Sequence, residues 1–159
     1  MEKYQAKAIN DFFVSTFNNV LICEERALAD AGDGDLSVRE LHLLSAVIQL
    51  EQEKKNSMGN IAALMNITLG ALTTAVNTLV RKGYLQRKHH EQDRRVVLVC
   101  ATEKGKAAND RHSAFHRAMI DHIAELIPEP EDMEKITAML ERLSSFFAGW
   151  QINKQELNK

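Results

Sequence analysis

The chain has 159 residues, 45% hydrophobic and 26% charged, a balance that suits one folded domain and excludes a disordered chain. The formal net charge is −2, two cysteines (Cys23 and Cys100) are too few for a disulfide framework, and the polar start "MEKYQAKAINDFF" lacks the pattern of a secretory signal. No apolar run approaches the roughly 20 residues that span a bilayer, so the expected setting is cytoplasmic, with no membrane partner.

In chain order, Ile9, Phe13, Phe17, Val20 and Leu21 recur at three- and four-residue spacings and predict an amphipathic helix over 4–29. The glycines and aspartates of "DAGDGDLS" (30–37) break it. Ser37 with Glu40 is a capping-box signature that starts a second helix, through about Leu50. "EQEKKN" (51–56) reads as a polar connection. From Ser57 to Val80 no residue is charged. There "SMGNIAALM" predicts a short helix and "NI" a turn. "TLGALTTAVNTLVRKG" predicts another helix, capped by Thr68 and ended at Gly83. "YLQRKHH" and "RVVLVCA" are strand-like runs around a short polar loop, hence a hairpin. Thr102 caps a helix running to about Ile127. "PEPED" opens a last helix with acids in its first turn, where the helix dipole favours them.

That last helix carries Met133, Ile136, Leu140, Leu143, Phe147 and Trp150, spaced 3, 4, 3, 4, 3. Such a seam seeks another helix. It could pack on its own chain's core, but pairing of the two terminal helices with those of a second copy is the preferred reading, so a homodimer is expected. The predicted architecture is mainly α with a small β-hairpin wing. Residues 1–159 form one domain, with a winged helix-turn-helix over 37–106 between dimerisation helices at 1–30 and 108–153.

Charge is unevenly distributed. Residues 81–106 hold eight basic and three acidic residues, +5, which leaves −7 on the rest of the chain. A basic patch on an acidic body presents one surface to a polyanion and repels it elsewhere. With Leu72 taken as the inside of the helix at 68–82, Ala75, Val76 and Leu79 fall on the same side. The opposite side carries Gly70, Thr74, Asn77 and Arg81, flanked by Ala71, Thr73 and Thr78, with Thr68 at the cap. This small, hydrogen-bonding face without acids could enter a major groove. Alternatively, the threonines merely cap and back-bond a half-buried helix. The hairpin tips the balance, because it adds Arg87, Lys88, His89, Asp93, Arg94 and Arg95. Asp93 can brace one guanidinium while another enters a narrow minor groove, and Arg87 and Lys88 then lie near phosphates. A self-satisfied surface ion pair is the plainer alternative.

"MGNIAALMNITLGALTTAVNTLVRKGYLQRKHHEQDRRVVLVCATEKGK" (58–106) resembles the MarR family of dimeric winged-helix repressors. The shared features are a small-residue helix, a Thr/Ser-rich recognition helix, Leu-x-x-x-Gly-Tyr/Leu, an Asp-Arg-Arg wing and a Leu-Thr-x-x-Gly lead-out. This chain departs at Ala101, where leucine is common. The resemblance runs closely over about 37–127. It implies a triangular dimer built by the terminal helices, two recognition helices in successive major grooves of a pseudo-palindromic operator, and regulation by a ligand. "RELHLL" (39–44), "DRRVV" (93–97) and "RHSAFHRAMIDHI" (111–123) are further similar to the MarR-type repressors of fatty-acid synthesis genes in Gram-positive bacteria. In that subgroup the effector is an acyl chain on acyl carrier protein, which strengthens DNA binding.

An effector pocket is expected where helices 4–29, 37–50 and 102–127 meet, walled by Phe13, Phe17, Leu21, His42, Val47, Phe115 and Met119. No cofactor is expected. His112 and His116, four apart, could face one metal from one helix, with Glu24 and His42 completing a nitrogen and oxygen set. Zinc-sensing members of the resembled family build sites from corresponding helices. The histidines read first as packed, hydrogen-bonded residues, second as pocket lining and third as ligands, because no cysteine or further carboxylate clusters near His112. A small aromatic or phenolic effector and a peroxide-sensing cysteine are further options within the family. Outside it stands a winged helix that binds proteins instead of DNA, which would need exposed apolar anchors on the recognition face. An enzyme is not expected, since no glycine-rich phosphate loop and no catalytic Ser/His/Asp or Cys/His spacing occurs.

Overall fold

The computed structural model describes residues 2–89, 93 and 96–149. Among the described residues eight elements follow in order: α1 (Lys3–Asp30), α2 (Val38–Gln52), α3 (Met58–Leu64), α4 (Leu69–Arg81), β1 (Leu85–His89), β2 (Val97–Ala101), α5 (Glu103–Leu126) and α6 (Pro130–Gly149). They match the expected mainly helical chain with one hairpin. The chain divides into two units, Met1–His116 and Arg117–Lys159. Among the described residues no single helix is long and apolar enough to cross a membrane.

Helix starts are set by side chains that satisfy the unpaired N–H groups of the first turn. Ser37 Oγ accepts from the Glu40 N–H, and the Glu40 carboxylate accepts from the Ser37 N–H at 2.8 Å, a reciprocal box. Ser57 caps α3, Thr68 caps α4, and Thr102 Oγ1 accepts from the Gly105 N–H at 3.1 Å to open α5. α3 and α4 meet at 106°, within the range of helix-turn-helix pairs, across a turn in which Asn66 takes a left-handed conformation at φ 51°. Gly83, at φ +81°, ends α4 where a side chain would be strained.

In the first unit Leu41, Leu44 and Val47 of α2, Ile61 of α3, and Leu72, Val76 and Leu79 of α4 close one core with Tyr84, Leu85 and Val99. β1 and β2 pair antiparallel in the register Leu85↔Ala101 to His89↔Val97. Buried Asn56, just before α3, donates from Nδ2 to the Val99 carbonyl at 2.8 Å, and the Val99 N–H donates back to Asn56 O at 3.0 Å. This pair ties the hairpin to the helix-turn-helix.

The loop between α1 and α2 is held at two points. Buried Asp33 receives a bidentate bond from Arg111 of α5, at 2.8 and 2.7 Å. Asp35 accepts from the Tyr84 hydroxyl at 2.6 Å, and Lys82, directly after α4, donates to both Glu40 oxygens at 2.8 Å. Burial alone would raise the Glu40 carboxyl, but the bonds from Lys82 and Ser37 outweigh it and hold Glu40 below the ordinary carboxylate range. Gly105 allows α5 to start against this corner. A Cβ there would collide with the Tyr84 carbonyl oxygen and stand 3.1 Å from Leu44 Cδ1.

The second unit holds the end of α5 and all of α6. On α6 the side chains of Met133, Ile136 and Leu143 are half-buried, whereas Leu140, Phe146 and Phe147 are exposed. Trp150, the last residue of the predicted seam, lies outside the described residues, as does the end of the expected dimerisation segment.

Candidate nucleic-acid interface and metal centre

α4 turns Leu72, Val76 and Leu79 inward with no exposed surface, while Gly70, Thr73, Thr74, Asn77 and Arg81 are exposed, as is the capping Thr68. Thr78 is half-buried. The back-bonding weighed from the sequence is also present: the Thr73, Thr74 and Thr78 hydroxyls donate to the carbonyls of Leu69, Gly70 and Thr74. Sequence reasoning passed over Leu69, at the head of this helix, which is 57% exposed. Its position one residue after the cap was the available signal.

On the hairpin Arg87, Lys88 and His89 of β1 are exposed, while Val99, Cys100 and Ala101 of β2 are buried. The charged strand therefore faces outward and the apolar strand anchors it. Asp93 is half-buried, and its carbonyl accepts from the Val96 N–H at 2.9 Å. Arg94 and Arg95 lie outside the described residues.

Four side chains from three helices converge in the first unit. Glu24 of α1, His42 of α2, and His112 and His116 of α5 each offer one ligand atom, and those atoms lie within 4.8 Å of one another. Glu24 Oε1 stands 3.3 Å from His42 Nε2, 3.4 Å from His112 Nε2 and 3.1 Å from His116 Nε2, and the two α5 nitrogens are 2.8 Å apart. Zinc–nitrogen bonds of about 2.0–2.1 Å put the corners of a tetrahedron about 3.3–3.4 Å apart, close to these separations. The Glu24 side chain is 6% exposed, and its ion-pair partners are histidine rings. A buried carboxylate surrounded by imidazoles is the donor set that a dication compensates. Burial first, and then the neighbouring rings His116 and His42, push the His112 imidazole below its ordinary value despite Glu24, which favours the neutral form that metals bind.

Packing brings Glu24, 88 residues away, to 3.4 Å from His112. All four residues stood among the sequence candidates, as the least favoured of three readings of the histidines, and the i, i+4 spacing of His112 and His116 was the local signal.

The seven residues expected to wall an apolar pocket differ in their surroundings. Val47 is in the core, Phe17 and Leu21 are exposed, and half-buried Phe13 stacks on Phe17 with centroids 5.9 Å apart. His42 belongs to the histidine cluster, and Met119 falls in the second unit. Phe115 lines a small cleft of about 50 Å³ with Glu24, Leu28, Asp33, Arg111 and His112. Cys23 is exposed and Cys100 buried, with burial and then Glu51 pushing the Cys100 thiol up.

Residues 36–97 match the model of the MarR family. The chain is similar to the FabT protein of Streptococcus pneumoniae, solved in complex with DNA. Identity is 33%, the TM-score is 0.80, and the match covers 90% of this chain and 97% of that one. It is 28% identical over 104 residues to the HTH-type transcriptional regulator BilQ of Clostridium symbiosum, covering 65% of this chain and 71% of that protein. It is 29% identical over 98 residues to the HTH-type transcriptional repressor YetL of Bacillus subtilis, covering 60% of this chain and 59% of that one.

Proposed function

The chain belongs to the MarR family of DNA-binding transcriptional regulators, and on that premise we propose a zinc-responsive repressor that acts as a homodimer. The convergence of Glu24, His42, His112 and His116 carries this reading. Three imidazoles and one carboxylate, with no thiolate, suit zinc among biological divalent ions, and calcium or magnesium would want oxygen ligands. Homodimerisation is supported by the apolar side chains that α1 leaves exposed, among them Tyr4, Ile9, Phe12, Phe17 and Ile22, a surface that a second copy would cover.

A metal held by α1, α2 and α5 reduces the arrangements those helices can take. DNA accepts one separation of the two recognition helices, about 34 Å or one helical turn. A protein already restricted pays less entropy on binding, so zinc is expected to tighten the complex. The test is titration of the purified protein into duplexes from its own promoter region, with zinc and with a chelator. A tightening of about 5–150-fold, the usual span of an allosteric coupling, supports the reading. Equal affinity in both conditions overturns it.

A second reading is favoured by the 33% identity to FabT and by the sequence likeness to fatty-acid-synthesis repressors: the effector is an acyl chain on acyl carrier protein. The same titration with a long-chain acyl carrier protein distinguishes the two. Tightening by the acyl form, with indifference to zinc, selects this second reading.

Within either reading α4 and the wing contact the operator. Asn77→Ala is expected to cost about 1–3 kcal/mol at one base pair and to relax specificity there. An equal loss on every sequence, measured by competition between duplexes, removes Asn77 from base reading. Arg95→Ala is expected to weaken all duplexes alike and to lower the slope of log affinity against log salt by about one. An unchanged slope takes Arg95 off the phosphates and grooves.

A further inference from the structure

The groups that α4 turns outward restrict what the helix can read. Each of the Thr73, Thr74 and Thr78 hydroxyls gives its proton to the carbonyl four residues back, at 2.7, 3.2 and 3.1 Å. A hydroxyl bonded in this way has only acceptor capacity left for a ligand, and the other branch of each side chain is a methyl group. Leu69 adds a larger apolar group at the head of the helix. It is 57% exposed although Leu72 and Leu79 of the same helix are fully buried, so core packing does not account for it. Leu69 and Thr73 are four residues apart and share a face. Gly70 beside them has no side chain and nothing within 4 Å of where a Cβ would stand, which leaves room for close approach.

We propose that α4 selects A·T base pairs, with Leu69 and the Thr73 and Thr74 methyl groups packing against thymine C5-methyls in the major groove. The acceptor-only hydroxyls can take a proton from adenine N6 or equally from cytosine N4, so the choice of A·T rests on the thymine C5-methyl, which no G·C pair presents. Asn77 is exposed and one turn further along, where its amide supplies both a donor and an acceptor for adenine. This inference rests on the reading of α4 as the operator-contacting helix and names what that helix recognises.

The experiment starts with selection of duplexes from a randomised library by the full-length protein. Each thymine of the selected half-site is then replaced by 2′-deoxyuridine, which removes the C5-methyl and nothing else. Affinity is expected to fall about fourfold at each contacted thymine, the value of burying one methyl-sized group. Leu69→Ala is expected to make the replacement silent at its thymine. Thr73→Ser, which drops the methyl and keeps the hydroxyl, is expected to silence a neighbouring one. Thr73→Val keeps the methyl and should preserve the sensitivity. Half-sites rich in G·C, or deoxyuridine duplexes bound as tightly as thymine ones, overturn the proposal while leaving DNA binding intact. If the library yields no retained duplex, the operator-contacting role fails and the inference fails with it.

Discussion

His112→Ala is expected to lower zinc affinity by two orders of magnitude or more and to abolish any effect of zinc on DNA binding. Its imidazole is the most enclosed of the three, with 9% side-chain exposure, and faces both Glu24 and His116. Loss of a partner that merely orients a ligand already costs about 10–100-fold in metal affinity, so loss of a ligand should cost at least that. Competition against a chromophoric chelator reads the metal affinity directly, independently of DNA. Glu24→Gln preserves shape and removes charge, and it separates a ligand's loss from the effect of a cavity. His122→Ala is the comparison, since that ring is exposed and pairs with Glu125 four ångström or less away, outside the cluster. Full zinc affinity in both His112→Ala and Glu24→Gln would remove the metal centre from this protein. Unchanged DNA binding by the metal-free variants would show that the loss lies in the response and not in the fold.

Gly105→Ala is expected to destabilise the fold by about 3 kcal/mol or more, at the upper end of what forcing extra atoms into packed structure costs. The added methyl meets the Tyr84 carbonyl, and backbone cannot step aside as a flexible side-chain tip can. That carbonyl also accepts the Thr102 N–H at 3.0 Å, a bond that sets the turn from β2 into α5. Moving either partner would disturb the Tyr84 hydroxyl bond to Asp35 as well. Urea unfolding at constant m-value reads the loss. Gly59→Ala, in the first turn of α3 with nothing within 4 Å of its Cβ position, is the control and should be neutral or slightly stabilising. Equal stability of the Gly105 variant and wild type would mean that the α5 start has slack the geometry does not indicate.

The glycine of the "TEKG" lead-out was recognisable as part of a motif, but its physical reason is the close approach of Gly105 to the Tyr84 carbonyl, which belongs to a separate segment of the chain. The same division holds across the molecule. Helices α2 and α4 were legible because their caps and apolar spacing act within four residues, and the hairpin because a charged run and an apolar run adjoin. The exposed and buried sides of α4 followed from 100° per residue alone, since a helix of that pattern has one way to bury Leu72, Val76 and Leu79.

What local spacing could not reach were groups whose meaning depends on a partner far along the chain. Asp33 reads as a loop residue until Arg111 clamps it, and Glu24 is one of several possible ligands along the sequence until packing sets it among three imidazoles. For the same reason, period alone cannot say whether an apolar face meets its own core, as Val47 does, or stays open, as Phe17 and Leu21 do. By itself, then, the sequence determined the elements, the winged helix-turn-helix order, the basic wing and the family. Only the tertiary structure decided that one glutamate and three histidines from three helices share a site. Secondary structure is written in hydrogen bonds and side-chain faces a few residues apart, whereas a ligand set is a coincidence of three helix positions that packing alone creates.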